Sequence, residues 1–348
     1  MSAHKKSSFP STVLAIALGL LSMFAMNAVA QNCPVCATGN TVAGQQMLAG
    51  AAAYNEVTPQ ITESGNVWVM EKLVNEVTVL FSVTDKGKFV DGLGVQDIQV
   101  EDDKKAPSAI LDFRSEKDLP LRLALLIDTS DSITERFEFE QEAATRFLQR
   151  VIRQNMDKAF VMGFNGRTNL TQDFTDNPEL LAKGVQRLKP GGNTALYDAV
   201  VTACERLART TETGTVARVL VLLTDGDDTA SRRTYAAAVD AANRAGVTIF
   251  GVSTNKIDLS LPGDARLKAF GDETGGRTIF PGEANDLPRA FSRVEKEIRS
   301  RYAVSYRPAA FEPNGHYRKI KIVARHLGKK LRVHARRGYY ARLEPAIP

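Results

Sequence analysis

Apolar residues recur along this chain in three rhythms, and the rhythm changes twice. From 66 to 117 it is short and partly alternating. Residues 75–84 (NEVTVLFSVT) are β-branched, 95–101 and 109–114 repeat the pattern, and polar turns at 85–88 and 102–105 separate them. Short strands with polar turns and no helical period predict a small β-sandwich over this block. From Pro120 the rhythm becomes strand–helix–strand. Residues 121–127 (LRLALLI) and 219–223 (VLVLL) are almost wholly apolar, as strands covered on both faces are. Further strands are predicted at 159–164, 247–252 and 278–280. Helical spacing appears at 137–151, 178–188, 196–207, 235–245, 267–274 and 286–300, with Gly246 as a stop. This alternation predicts an α/β fold, a doubly wound, mostly parallel sheet with helices on both faces.

After Arg301 the pattern returns to β. Residues 302–306, 317–324 and 331–337 read as strands, with Pro308, Pro313, Gly315 and Gly328 at the turns. They predict a small C-terminal β module over 301–342, whose packing partner the pattern does not name. Residues 31–65, rich in Ala, Gly, Thr and Asn, read as a linker with one short helix near 45–54. The first thirty residues read as a secretory signal. His4, Lys5 and Lys6 precede an apolar run from 13 to 25, and Ala28-Val29-Ala30 offers small residues for cleavage. The run falls short of the roughly 20 apolar residues that span a bilayer. The expectation is an exported protein, periplasmic or extracellular, with no integral membrane segment after cleavage. Gln31-Asn32 before Cys33 argues against a lipid anchor.

Composition narrows the picture little. The 348 residues allow two or three domains, and 43% hydrophobic with 24% charged residues is ordinary for a globular chain. The formal charge of +5 includes Lys5 and Lys6 of the leader. So mild an excess does not argue for nucleic acid. Arg325, Lys329, Lys330, Arg332, Arg336, Arg337 and Arg342 crowd the last strands, either as a solvated face or as a surface for an anionic partner. Cys33-Pro34-Val35-Cys36 is a CxxC without a second pair to complete a zinc site, and it reads as a local disulfide. Cys204 falls on an apolar helix face and reads as a buried free thiol.

Two apolar strands each lead into an aspartate: Leu125-Leu126-Ile127-Asp128-Thr129-Ser130-Asp131-Ser132, and Leu222-Leu223-Thr224-Asp225-Gly226. In an open parallel sheet the ligand crevice forms at the carboxyl ends of the strands, so both carboxylates belong on one edge. Between them lies Gly191-Gly192-Asn193-Thr194, whose glycines permit a close backbone approach and whose Thr194 can offer a hydroxyl. Asp128, Ser130, Ser132, Thr194 and Asp225 form an all-oxygen set, suited to a hard cation: Mg²⁺, or Mn²⁺ or Ca²⁺. Taken alone, Asp-x-Ser-x-Ser also fits a helix N-cap, with Ser132 capping the helix after it. Asp131, Asp227 and Asp228 read as solvated loop charges, and Asn193 and Tyr197 as turn and packing residues.

Asp128-x-Ser130-x-Ser132, Thr194, and Asp225 within Thr-Asp-Gly resemble the metal-ion-dependent adhesion site of von Willebrand factor type A domains, and the likeness covers about 119–300. The flanking β blocks resemble exported bacterial proteins with such a domain. The resemblance implies a Rossmann-like domain in which Ser130, Ser132 and Thr194 hold Mg²⁺ or Mn²⁺ and Asp128 and Asp225 act directly or through water. It also implies a protein partner whose Asp or Glu completes the shell, and a last helix that moves when the domain switches. The expected function is therefore metal-dependent protein binding or cell adhesion, without catalysis. One alternative is a structural or assembly subunit of a cell-envelope complex whose metal only supports the fold. Another is a phosphatase of haloacid-dehalogenase type, with Asp225 as nucleophile and Asp227 as acid. That motif belongs on an early strand, however, and here it lies late. A serine hydrolase lacks its GxSxG elbow, and no Gly-rich phosphate loop with Lys occurs.

Overall fold

The computed structural model describes residues 54–61, 67–74, 76–115, 119–210, 216–255 and 261–341. The leader, the CxxC and nearly all of the short helix expected near 45–54 lie outside these. β1 (Tyr54–Ile61) and β2 (Val67–Val74) pair antiparallel as a two-stranded sheet, so residues 54–61 of the expected linker are strand.

The first β block comprises β3 (Val77–Asp85), β4 (Lys88–Phe89), β5 (Ile98–Asp102) and β6 (Ala109–Ser115). The α/β region comes next: β7 (Leu121–Asp128), α1 (Phe137–Val151), β8 (Lys158–Phe164), β9 (Thr168–Thr175), α2 (Pro178–Gln186), α3 (Leu196–Ala208), β10 (Ala217–Thr224), α4 (Tyr235–Arg244), β11 (Val247–Ser253), α5 (Pro262–Thr274), β12 (Thr278–Ile279) and α6 (Leu287–Ile298). Its six strands run in the order β12-β11-β10-β7-β8-β9. All pairings are parallel except β8 with β9.

The period-two geometry of a strand explains the two layers of helices. Leu121, Leu123, Leu125 and Ile127 of β7 face one core with side chains of α1, α2 and α6. Ala124 and Leu126 face the other, with α3, α4 and α5. Every residue of β7, β10 and β11 is buried, which is why residues 121–127 and 219–223 read as almost wholly apolar. Each leucine so covered contributes roughly 1.5–3 kcal/mol.

The final strands are β13 (Arg301–Arg307), β14 (Tyr317–His326), β15 (Lys329–Ala335) and β16 (Gly338–Tyr340). They share one sheet with the first β block. β3 lies between β15 and β13, β13 also pairs β6, and β5 pairs β14. Val79, Phe81, Val83, Val304, Tyr306, Ile322 and Tyr339 sit in their common core. The α/β region is therefore inserted between strands that complete one another. Ser82, on β3, turns the other way and donates to Glu297 of α6 at 2.7 Å. Of the late basic residues, Arg325, Lys329, Lys330, Arg332 and Arg337 are exposed. Arg336 is buried and donates to the Thr78 carbonyl at 2.7 Å.

Candidate metal centre

β7 and β10 are neighbours in register, Ile127 beside Leu223, so the residues just beyond that pair arrive together at the carboxyl edge. Asp128 is fully buried there. Its Oδ2 accepts from the Thr224 hydroxyl at 2.5 Å and its Oδ1 from the Ser130 backbone N–H at 2.9 Å. The chain then turns outward. The Ser130 and Ser132 hydroxyls lie 3.1 Å apart, and Ser132 Oγ donates to Asp225 Oδ2 at 3.0 Å. Four of the five expected residues thus form one continuous hydrogen-bonded series, from the buried Asp128 to the exposed Ser132 and the half-exposed Asp225. Ser132 caps no helix: its hydroxyl goes to Asp225, and α1 starts five residues later without a side-chain cap.

Thr194 is brought to the same edge through its backbone. Its N–H donates to the Thr229 hydroxyl at 3.0 Å, and its carbonyl accepts from the N–H groups of Thr229 and Ala230 at 2.8 and 2.9 Å. On the other side Gly191 N–H donates to the Thr129 carbonyl at 2.7 Å, and Asp131 N–H to the Gly192 carbonyl at 3.1 Å. The segment from Gly191 to Thr194 therefore bridges the loops after β7 and β10. Gly191 and Gly192 take φ of 142° and 98°, which side-chain-bearing residues rarely adopt.

Several supporting residues carry no sequence signal of their own. Thr224 orients Asp128. Asn165 clamps the glycine loop, its Nδ2 donating to the Gly191 carbonyl and its own carbonyl accepting from Ala195. Asn255 donates to the Asp225 carbonyl at 2.8 Å and to Asp264 at 2.9 Å. Ser231 accepts from the Tyr197 and Asp198 N–H groups, so α3 is capped from a distant loop. The side chain of Asp198 accepts in return from the N–H groups of Arg232 and Arg233. Of the charges read as solvated, Asp131 and Asp227 are exposed, and Asp227 pairs with Arg266 at 3.1 Å. Asp228 is half-buried and accepts from Ser231 at 2.5 Å. Tyr197 packs against the rings of Tyr235 and Phe270.

The electrostatics favour a cation. Burial pushes the Asp128 carboxyl up to about 6; hydrogen bonds from Thr224 and Ser130 oppose it, and the charge of Asp225 adds to it. Glu140 of α1 is also fully buried, and neither carboxyl oxygen has a partner among the described residues. Burial raises it to about 8, Arg136 opposes, and Asp128 and Asp225 raise it further. The charge of Asp225 thus acts on both buried carboxyls, and a divalent cation at this edge would oppose it. Among the described residues no three His, Cys, Asp or Glu side chains converge as a metal trio. The converging set is two carboxylates with hydroxyls, a donor set that fits Mg²⁺ better than a soft ion.

Several solved structures are similar to about half of the chain. The chain is similar to an aerotolerance-related membrane protein from Bacteroides fragilis, at 16% identity and a TM-score of 0.42 over 51% of this chain and 98% of that one. It is similar to the vWF domain of the type V pili tip protein Mfa5 from Porphyromonas gingivalis, at 13% and 0.43 over 52% and 95%. Proximal thread matrix protein 1 from the mussel byssus, with a zinc-occupied MIDAS motif, aligns at 17% and 0.45 over 56% of this chain and 49% of that one. No curated protein matches the chain. The family model that does match is that of the von Willebrand factor type A domain, over residues 123–288. Those residues run from β7 into α6 and include every residue of the candidate centre, so the part of the chain that holds the centre is the part that is similar to the von Willebrand factor type A domain.

Proposed function

We propose that this protein binds another protein through a divalent cation held by Asp128, Ser130, Ser132, Thr194 and Asp225, outside the cytoplasm and without catalysis. The observation that carries this reading is the hydrogen-bonded series from Asp128 through Ser130 and Ser132 to Asp225, buried at one end and open to solvent at the other. Neutral hydroxyls leave most of a metal's charge unquenched, and Mg²⁺ demands six ligands in octahedral array. An incoming Glu or Asp side chain would both fill a position and neutralise charge. Asp128, already hydrogen-bonded on both oxygens, would act through its charge or through water, as would Asp225. The leader supports export, and no helix among the described residues is long and apolar enough to cross a membrane.

The test is surface plasmon resonance on an immobilised Glu-rich peptide, with Mg²⁺ or with EDTA. Wild type binds only with Mg²⁺, and Asp128→Ala does not bind. Equal binding by the two proteins would sink the adhesion reading. Mg²⁺ that raises the melting temperature of wild type without any peptide binding would instead favour a scaffold whose metal is structural.

A further inference from the structure

The six-stranded sheet carries a second concentration of charge at its other edge. Arg122 and Lys158 stand at the starts of β7 and β8 and are partners in register. Asp173 and Phe174 at the end of β9, with Arg206 near the end of α3 and Arg209 and Thr210 just beyond it, complete the lining of a cavity of about 450 Å³ that is broadly open to solvent. That volume falls in the range of small-molecule sites, roughly 300–1,000 Å³. β7 runs from this cavity to the candidate metal centre, so about 20 Å of extended chain separates the two.

The cavity is lined by four cations and one carboxylate. Arg206 pairs with Asp173 at 2.5 Å, which holds that carboxyl below its ordinary range and ionised. Arg122 is buried and fixed, donating to the Leu121 and Met156 carbonyls at 2.9 and 3.0 Å. Lys158 and Arg209 are exposed and form no ion pair among the described residues. An exposed Arg209 beside an exposed Lys158 suits an anion with several oxygens, because Arg meets phosphate through paired N–H groups and Lys as a point charge. The volume also exceeds what a bare phosphate needs. Phe174, half-buried and held edge-on by Phe160 at 4.9 Å, supplies an apolar wall for whatever carries the phosphates.

We propose that this cavity binds a small molecule bearing a polyvalent phosphate, with the exposed Lys158 and Arg209 on the phosphate oxygens and Phe174 against the attached group. The site is independent of the metal centre. It is tested on the full chain by isothermal titration calorimetry in EDTA, using pyrophosphate, ADP, adenosine and citrate. ADP binds most tightly, pyrophosphate next, and adenosine and citrate at least tenfold more weakly than ADP. The double variant Lys158→Glu, Arg209→Glu, both exposed positions, keeps its melting temperature and loses at least tenfold in ADP affinity. The double variant Arg325→Glu, Lys330→Glu makes the same change in net charge far from the cavity and leaves ADP binding unchanged. The proposal is overturned if neither phosphate compound binds, if citrate binds as tightly as ADP, or if both double variants behave alike.

Discussion

Gly226 supplies no ligand, yet the centre depends on it. Its φ is +84°, and a Cβ there would lie 2.3 Å from the Gly263 carbonyl oxygen, where the backbone of α5 cannot give way cheaply. Gly226→Ala therefore displaces Asp225, and calorimetry should show Mg²⁺ affinity reduced at least tenfold although every proposed ligand is present; unchanged affinity contradicts the account. His334 provides a pH dependence of a different kind. Burial, then the charges of Arg277 and Arg332, push its imidazole down to about 4. The unfolded value is near 6.5, so folding favours the neutral ring. Its contribution is present above pH 6.5 and is lost as pH falls toward 4, about 2 kcal/mol of it by pH 5. Urea unfolding at pH 7 and pH 5 should show a larger loss for wild type than for His334→Gln, since carboxylate titration is common to both. Equal losses would refute the assignment. Asp128, Ser130, Ser132, Thr194 and Asp225 stand out in the sequence as candidates because each lies at or just beyond a recognisable strand end or glycine turn. Thr224, Asn165 and Ser231 are not, because a hydroxyl or amide acquires its role only when a distant loop arrives beside it.

Among the elements, α6 is the one whose surroundings the sequence conceals. It is read correctly as a helix from its apolar spacing. What the spacing does not show is that it leads within a few residues into β13, which lies between β3 and β6. Glu297 of α6, almost fully buried, accepts from Ser82 of β3 and pairs with Arg277 at 2.5 Å. Removing one partner of a buried pair leaves the other charge uncompensated, at a cost of about 3–5 kcal/mol. Glu297→Ala should lose that much by urea denaturation, and Glu297→Gln, which keeps the hydrogen bond to Ser82, should lose less. A loss below ~1 kcal/mol for Glu297→Ala would show that the α6–β3 contact holds little, the range of an exposed pair. β9 escaped the sequence pattern for an opposite reason. TNLTQDFT is an edge strand with no fully buried residue, so it lacks the apolar run that marks β7 and β10. The pairing of β3 with β13 and β15 is equally unreadable, since strand partners far apart in sequence leave no periodic trace.

At the scale of the molecule, one sheet presents two chemically opposed edges. Acids converge where the strands end, and cations gather where β7 and β8 begin. The β strands on either side of the α/β region close into one sheet, joined to α6 by the Ser82–Glu297 hydrogen bond and to α5 by that of Arg337 to Glu273, so that region is braced by chain both before and after it. The candidate metal centre lies where the buried strands β7 and β10 end, with Ser132 open to solvent. The most direct test of the central claim is anomalous diffraction from crystals soaked in Mn²⁺, a close stand-in for Mg²⁺. The account predicts a single strong peak among the oxygens of Ser130, Ser132 and Thr194, at bonding distances near 2.1 Å, and absent in Asp128→Ala. A Thr194 hydroxyl facing away from Asp128 with no manganese at that edge would contradict it.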